Sequence, residues 1–210
     1  MRIALIHALR HSPPPVEEAF SRLWPEARLM NLLDDSLSAD LARDGALTEA
    51  MTDRFLSLAR YAVGTGADGI LFTCSAFGPC IEACRAALTP IPVLKPNEAM
   101  IEEAVATGGT VGLLASFAPT LRSMPPEFPA GTKLRPHWID GAMEALDAGD
   151  TETHNRLAAE AASTLTDCDV IALAQFSLAS AAPAIAAATG KRVMTTPDSA
   201  VRKMRDLLEG

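Results

Sequence analysis

Asp68-Gly69-Ile70-Leu71-Phe72-Thr73-Cys74 and Asp169-Val170-Ile171-Ala172-Leu173-Ala174-Gln175 are the two stretches that decide the fold, because the second repeats the first 101 residues later. Pro96-Asn97-Glu98-Ala99-Met100 matches Pro197-Asp198-Ser199-Ala200-Val201 in the same register. Two matches at one offset indicate a duplicated module. The pair also differs where chemistry is possible: the first copy ends in a thiol, the second in a neutral carboxamide.

Around these stretches, short apolar runs rich in Ile, Val and Leu alternate with longer amphipathic segments. That alternation is the pattern of parallel sheets covered by helices on both faces. Strands are expected over Arg2–His7, Ala27–Leu32, Gly69–Thr73 and Ile91–Leu94 in the first half. Thr110–Ala115, Lys133–Trp138, Val170–Ala174 and Arg192–Thr195 are their counterparts in the second. Met51, Phe55, Leu58, Ala59 and Ala62 recur at helical spacing over Thr48–Val63. Further helix starts are signalled by Gly78-Pro79 ahead of Cys80–Ala87 and by Asp150-Thr151 ahead of a stretch to Thr164. The segment from Met124 to Gly131, with three prolines, reads as a loop that forms a rim, a lid or a plain connector.

The expected architecture is therefore α/β, with two pseudo-symmetric modules, each holding a mostly parallel four-stranded sheet flanked by helices. The first module takes residues 1–97 and 198–210, the second residues 98–197. Ligands in open α/β sheets bind beyond the carboxyl ends of strands, which places the expected site in the cleft between the modules.

Composition narrows the function. Of 210 residues, 49% are hydrophobic but only 5% aromatic, so the core is built from aliphatic side chains, and 210 residues suffice for a core in each of two modules. The net charge of -8 and the lack of a broad basic cluster argue against nucleic-acid binding. Met1-Arg2-Ile3-Ala4-Leu5-Ile6 reads as a first strand and not a signal peptide. Val170–Thr189 has the length of a membrane span, but its Ala content, with Gln175, Ser177, Ser180 and Pro183, fits a buried strand followed by a helix. Four cysteines without a secretion signal point to free thiols and a cytoplasmic protein.

Cys74 ends an apolar strand and enters a turn that leads to a helix. Backbone N–H groups at such a start would lower its pKa and cradle an anion, making a proton-shuttling or nucleophilic thiolate. The other reading is a structural cysteine in apolar surroundings. Cys80 and Cys84, one helical turn apart, read as core, and with Cys74 they lack the paired spacing of structural zinc. His7 either contacts a ligand or is a satisfied histidine at the edge of the site. Ser75, Ser116, Thr120 and Ser177 are hydroxyls near strand ends suited to a carboxylate. Lys95 and Glu98 offer a cation and an acid, although Glu98 and Asp198 equally suit the first turns of their helices. Neither G-x-G-x-x-G nor a P-loop is present, and no G-x-S-x-G elbow, so a reaction without cofactor or metal is the simpler expectation.

With these motifs in place, the sequence resembles the aspartate/glutamate/hydantoin racemase superfamily, which includes maleate isomerase and arylmalonate decarboxylase. The resemblance spans essentially the whole chain and is most specific over Asp68–Ser75. In its racemases two thiols flank the α-carbon of a small carboxylic acid and exchange its proton on opposite faces. The resemblance implies Cys74 as the first thiol and Thr73, Ser75, Ser116 and Ser177 as carboxylate-binding groups. His7, Ala76, Asn97, Phe117, Gln175 and Phe176 are expected to line the same cleft because they stand at or just after strand ends. Gln175 at the second thiol's position is the departure, since a carboxamide neither takes nor gives a proton near neutral pH. Arylmalonate decarboxylase also works with one cysteine, though in the second motif; in a maleate-isomerase-like reaction Cys74 would be a nucleophile. Expected partners are a small carboxylate substrate and, by default, a second copy in a homodimer.

Overall fold

The computed structural model describes residues 1–118 and 120–210, and they divide into two compact units, Met1–Pro96 with Ala200–Gly210, and Asn97–Ser199. The first unit contains β1 (Arg2–His7), α1 (Pro13–Leu23), β2 (Arg28–Leu33), α2 (Ser36–Asp44), α3 (Glu49–Gly64), β3 (Gly69–Phe72), α4 (Gly78–Leu88) and β4 (Val93–Leu94). The second contains α5 (Glu98–Ala106), β5 (Val111–Ala115), α6 (Thr120–Ser123), β6 (Leu134–Trp138), α7 (Ala142–Asp147), α8 (Thr151–Ser163), β7 (Val170–Leu173), α9 (Ala182–Thr189) and β8 (Arg192–Thr195). The last helix, α10 (Thr196–Glu209), runs from the second unit into the first.

Each unit has one four-stranded sheet, in the order β2-β1-β3-β4 and β6-β5-β7-β8, and every pairing is parallel. This is the α/β architecture of twin parallel sheets expected from the alternating pattern. The central strands β3, β5 and β7 are wholly apolar and buried, and β1 is so from Ile3 to Ile6, between the exposed Arg2 and the buried His7, as strands covered on both faces are. The outer strands β2 and β6 are partly exposed along their length. The stretch after Val170 is a strand, a 3-10 turn over Phe176–Ala181 and then α9. Among the described residues no helix is long and apolar enough to cross a membrane.

The repeated aspartates explain half of the duplicated motif. Asp68 accepts a hydrogen bond from the Arg2 N–H at 2.7 Å and returns its own N–H to the Arg2 carbonyl at 2.8 Å. Asp169 does the same with Thr110, at 2.7 and 2.8 Å. Each carboxylate thus anchors the start of its unit's first strand to the strand that carries Cys74 or Gln175.

Packing then fixes the far ends of those strands. On α3, Met51, Phe55, Ala59 and Ala62 form the buried face, and Thr48 caps the helix by accepting from the Met51 N–H at 3.2 Å. The Phe55 ring stacks on Phe72 of β3 at 5.2 Å and meets Phe77 at 4.9 Å, so the residues on both sides of Cys74 are clamped to one helix. Gly69 has no room for a side chain: an added Cβ would stand 2.7 Å from the Met204 sulfur of α10. The helix therefore lies directly on the start of β3.

Boundaries differ from expectation by a residue or two, most at β4, which starts at Val93 and not Ile91. The cause is local: Pro92 has no N–H to give, and Ile91 spends its own on the Leu88 carbonyl at 2.9 Å. The segment from Met124 onward is a short 3-10 turn, Pro125–Glu127, whose flanking Met124 and Phe128 are buried in the second unit's core. It is a connector tied down at both ends.

Candidate active site

Parallel strands bring their carboxyl ends to one edge of each sheet. In the first unit that edge carries His7, which ends β1, and Thr73 and Cys74, which follow β3. Cys74 is extended, with φ -125° and ψ 116°, and stands just before a 3-10 turn, Ser75–Phe77, that leads into α4. Ser75 is half-buried and Ala76 exposed. Asn97 precedes α5, is buried, and has a side-chain Nδ2 with no hydrogen-bond partner among the described residues.

In the second unit, Ser116 and Phe117 follow β5 and Gln175 follows β7 in an extended conformation, φ -140° and ψ 146°. Gln175 and Cys74 thus hold the same place, one strand-end residue before a 3-10 turn. Phe176 is buried and Ser177 half-buried in that turn. The Gln175 Oε1 accepts from the Ser116 N–H at 2.7 Å, the Ser116 hydroxyl at 3.2 Å and the Phe117 N–H at 3.2 Å. This fixes the amide's orientation: the oxygen faces the β5 loop and the Nε2 end remains as a donor. It also means that three donors of the β5 loop are engaged by this chain's own side chain.

The thiol departs from the expectation drawn from its helix-start position. Burial pushes the Cys74 pKa up from the ordinary 9.0 to about 11, and the Ala76 N–H alone pulls in the other direction. One backbone hydrogen bond does not offset the removal of water from around an ionised sulfur. Cys74 is consequently a neutral thiol at neutral pH, although its residue surface is only partly covered.

His7 is buried, and burial lowers its pKa against the opposing effects of its hydrogen bond with Asn31 and the charge of Glu17. Its Nδ1 lies 2.9 Å from the Thr73 hydroxyl and its Nε2 2.9 Å from the Asn31 Oδ1. Asn31 in turn donates from Nδ2 to Glu17 at 2.6 Å. Neither Asn31 nor Glu17 was among the residues expected from the sequence. They meet His7 only through the pairing of β1 with β2 and the packing of α1, so no local motif marks them.

Other expected groups have structural partners. Lys95 pairs with Glu82 at 2.8 Å. Thr120 is buried, and the Asp198 N–H donates to Thr195 at 3.2 Å. Cys80 and Cys84 are buried in the first unit's core, and burial pushes the Cys84 pKa up to about 11. All four cysteines are free. Among the described residues no group of three or more His, Cys, Asp and Glu side chains is arranged to hold a metal ion.

Twin parallel sheets, with Cys74 and Gln175 at the same strand end of each, define a class of two-unit α/β proteins. The family model for Asp/Glu/hydantoin racemase matches residues 15–204, and the chain belongs to that family. No curated protein matches it by sequence. Among solved structures it is similar to Picrophilus torridus aspartate racemase, at 12% identity over 99% of this chain and 94% of that one, with a TM-score of 0.76. It is similar to Klebsiella pneumoniae allantoin racemase at 19% identity, covering 100% and 88%, with a TM-score of 0.73. A mutant of arylmalonate decarboxylase in its sulfate-associated form gives 21% identity, 100% and 94% coverage, and a TM-score of 0.68. At these identities the likeness is one of fold.

Proposed function

We propose that this protein is a cofactor-independent enzyme acting at the carbon next to a carboxylate of a small acid, with Cys74 as the proton-transferring group. The observation that carries the reading is the pairing of Cys74 with Gln175 at equivalent strand ends, in a chain of the racemase family. Gln175 has no proton to exchange, and its oxygen is held by Ser116 and Phe117. Thiol chemistry therefore comes from one residue only. Two-thiol racemisation is replaced by transfer to and from a single face.

A thiol with a pKa pushed up to about 11 supports a particular direction of transfer. It is a proton donor at neutral pH, suited to quench a carbanion or enolate formed beside the carboxylate. This favours, as a second reading, a one-thiol decarboxylase, in which loss of carbon dioxide creates the carbanion and Cys74 protonates it. The nucleophilic alternative needs a thiolate at rest and gains nothing from this environment.

The test is a turnover screen of amino acids, hydantoins, malonates and other small dicarboxylates, run in deuterated water with Cys74→Ala and Cys74→Ser as controls. Expected is activity in the wild type, abolished in both variants with folding intact, and deuterium incorporated with a single configuration. Activity unchanged in Cys74→Ala, or equal formation of both configurations, refutes the reading. A compound that raises the melting temperature without being consumed would instead identify a carboxylate-binding protein.

A further inference from the structure

The carboxamide oxygen of Gln175 sits where three donors converge: the Ser116 N–H at 2.7 Å, the Phe117 N–H at 3.2 Å and the Ser116 hydroxyl at 3.2 Å. Two of them are backbone N–H groups of consecutive residues, which only donate, so the oxygen and not the Nε2 must face them. They are available because the ladder has ended: β5 pairs with β6 as far as Ala115 and Trp138, and with β7 as far as Leu114 and Leu173. The carbonyls of the same two residues are engaged elsewhere, that of Ser116 by the Trp138 Nε1 at 3.4 Å and that of Phe117 by the Thr120 N–H at 3.0 Å. The first unit folds its equivalent loop the same way with no glutamine opposite. There the Ala8 carbonyl accepts from the Ser38 hydroxyl at 3.0 Å, the Leu9 carbonyl accepts from the Ser12 N–H at 3.3 Å, and Cys74 stands in the place of Gln175. The donors are therefore set by the strand end and its turn, not by the side chain that fills them. Successive N–H groups converging with a hydroxyl on one point make a seat for an oxyanion, and a neutral carbonyl oxygen is a weaker occupant of it than a carboxylate.

We propose that Gln175 is a specificity-determining residue, a tethered occupant that keeps this oxyanion seat closed to a carboxylate. A group on a short tether competes at an effective concentration of about millimolar or more, so a free carboxylate must displace it to enter. Ser116, expected among the carboxylate-binding groups, is then a positioning residue for Gln175. The seat is within reach of solvent, since Gln175 is half-buried and Phe117 exposed. This deepens the proposed function and rests on it: the small acid on which Cys74 acts is held with no carboxylate at the ends of β5 and β7.

The backbone amide signals of Ser116 and Phe117 read the seat directly in nuclear magnetic resonance spectra, with acetate as the probe and chloride at equal ionic strength as its control. Expected at these two signals is acetate binding at least about tenfold tighter in Gln175→Ala than in the wild type, because the tethered competitor is gone. Gln175→Glu places a carboxylate on the same tether and needs no vacated space. Its introduced carboxyl is expected to titrate below the ordinary glutamate value of about 4.3, with the Ser116 and Phe117 signals moving in the same titration and acetate excluded at neutral pH. Equal acetate binding in the wild type and Gln175→Ala, binding in neither, or an introduced carboxyl that titrates at or above the ordinary value overturns the seat. None of these measurements involves Cys74 or turnover, so failure of the proposed reaction and failure of this inference are told apart.

Discussion

Alkylation of Cys74 by iodoacetamide converts the environment of the thiol into a rate. With a pKa pushed from 9.0 to about 11, the thiolate fraction at neutral pH is about a hundredfold below that of an ordinary cysteine. A more basic thiolate is also a better nucleophile, and a Brønsted slope of about 0.4–0.5 recovers roughly eightfold over two pH units. The net expectation is alkylation roughly tenfold slower than a free thiol, with a rate that keeps rising with pH past 9.0. Partial exposure of Cys74 allows the reagent to arrive, while Cys80, Cys84 and Cys168 are buried. The peptide from Tyr61 to Arg85 contains Cys74, Cys80 and Cys84, so fragment masses are needed to place the label. A Cys74 rate equal to or above that of a free thiol at neutral pH would refute the argument that burial outweighs the Ala76 N–H.

Three further predictions concern what holds the strand ends in place. Phe55→Ala removes the ring between Phe72 and Phe77 and should cost about 3–5 kcal/mol in urea unfolding, while speeding alkylation of Cys74 as its turn loosens; a loss under about 1 kcal/mol would contradict the clamp. Asp68→Ala and Asp169→Ala should each cost about 1 kcal/mol, the similarity of the two losses being the sign of one role repeated. His7 has a folded-state pKa below its ordinary 6.5, so the unfolded chain binds that proton first as pH falls. Its contribution to stability is complete above 6.5 and is lost on descending through the folded-state pKa. Denaturant midpoints of the wild type should therefore fall more steeply below 6.5 than those of His7→Gln, and parallel curves would refute the assignment.

The apolar runs, their spacing and the 101-residue repeat were enough to read both sheets. A strand buried on both faces needs an unbroken aliphatic run, and the turns after it carry small or polar residues; both are local properties. Cys74, Gln175, Ser116 and His7 were legible for the same reason, since parallel strands bring their ends to one edge whatever the side chains do. What the sequence misdirected was the state of the thiol. A helix start suggests activation, but the cost of removing water from sulfur depends on the core packed against Cys74, much of which, Phe55 included, comes from elsewhere along the chain.

By itself, then, the sequence determined the class of fold, the duplication and the unequal residues at its two equivalent strand ends, because periodicity and register are written in neighbouring residues. Only the tertiary structure decided which protons those positions hold. Burial keeps Cys74 a neutral thiol, three hydrogen bonds turn the Gln175 oxygen toward Ser116 and Phe117, and Asn31, itself bonded to Glu17, meets the His7 ring. Hydrogen-bond polarity and desolvation are properties of atoms brought together from distant parts of a chain, and they exist only once it has folded.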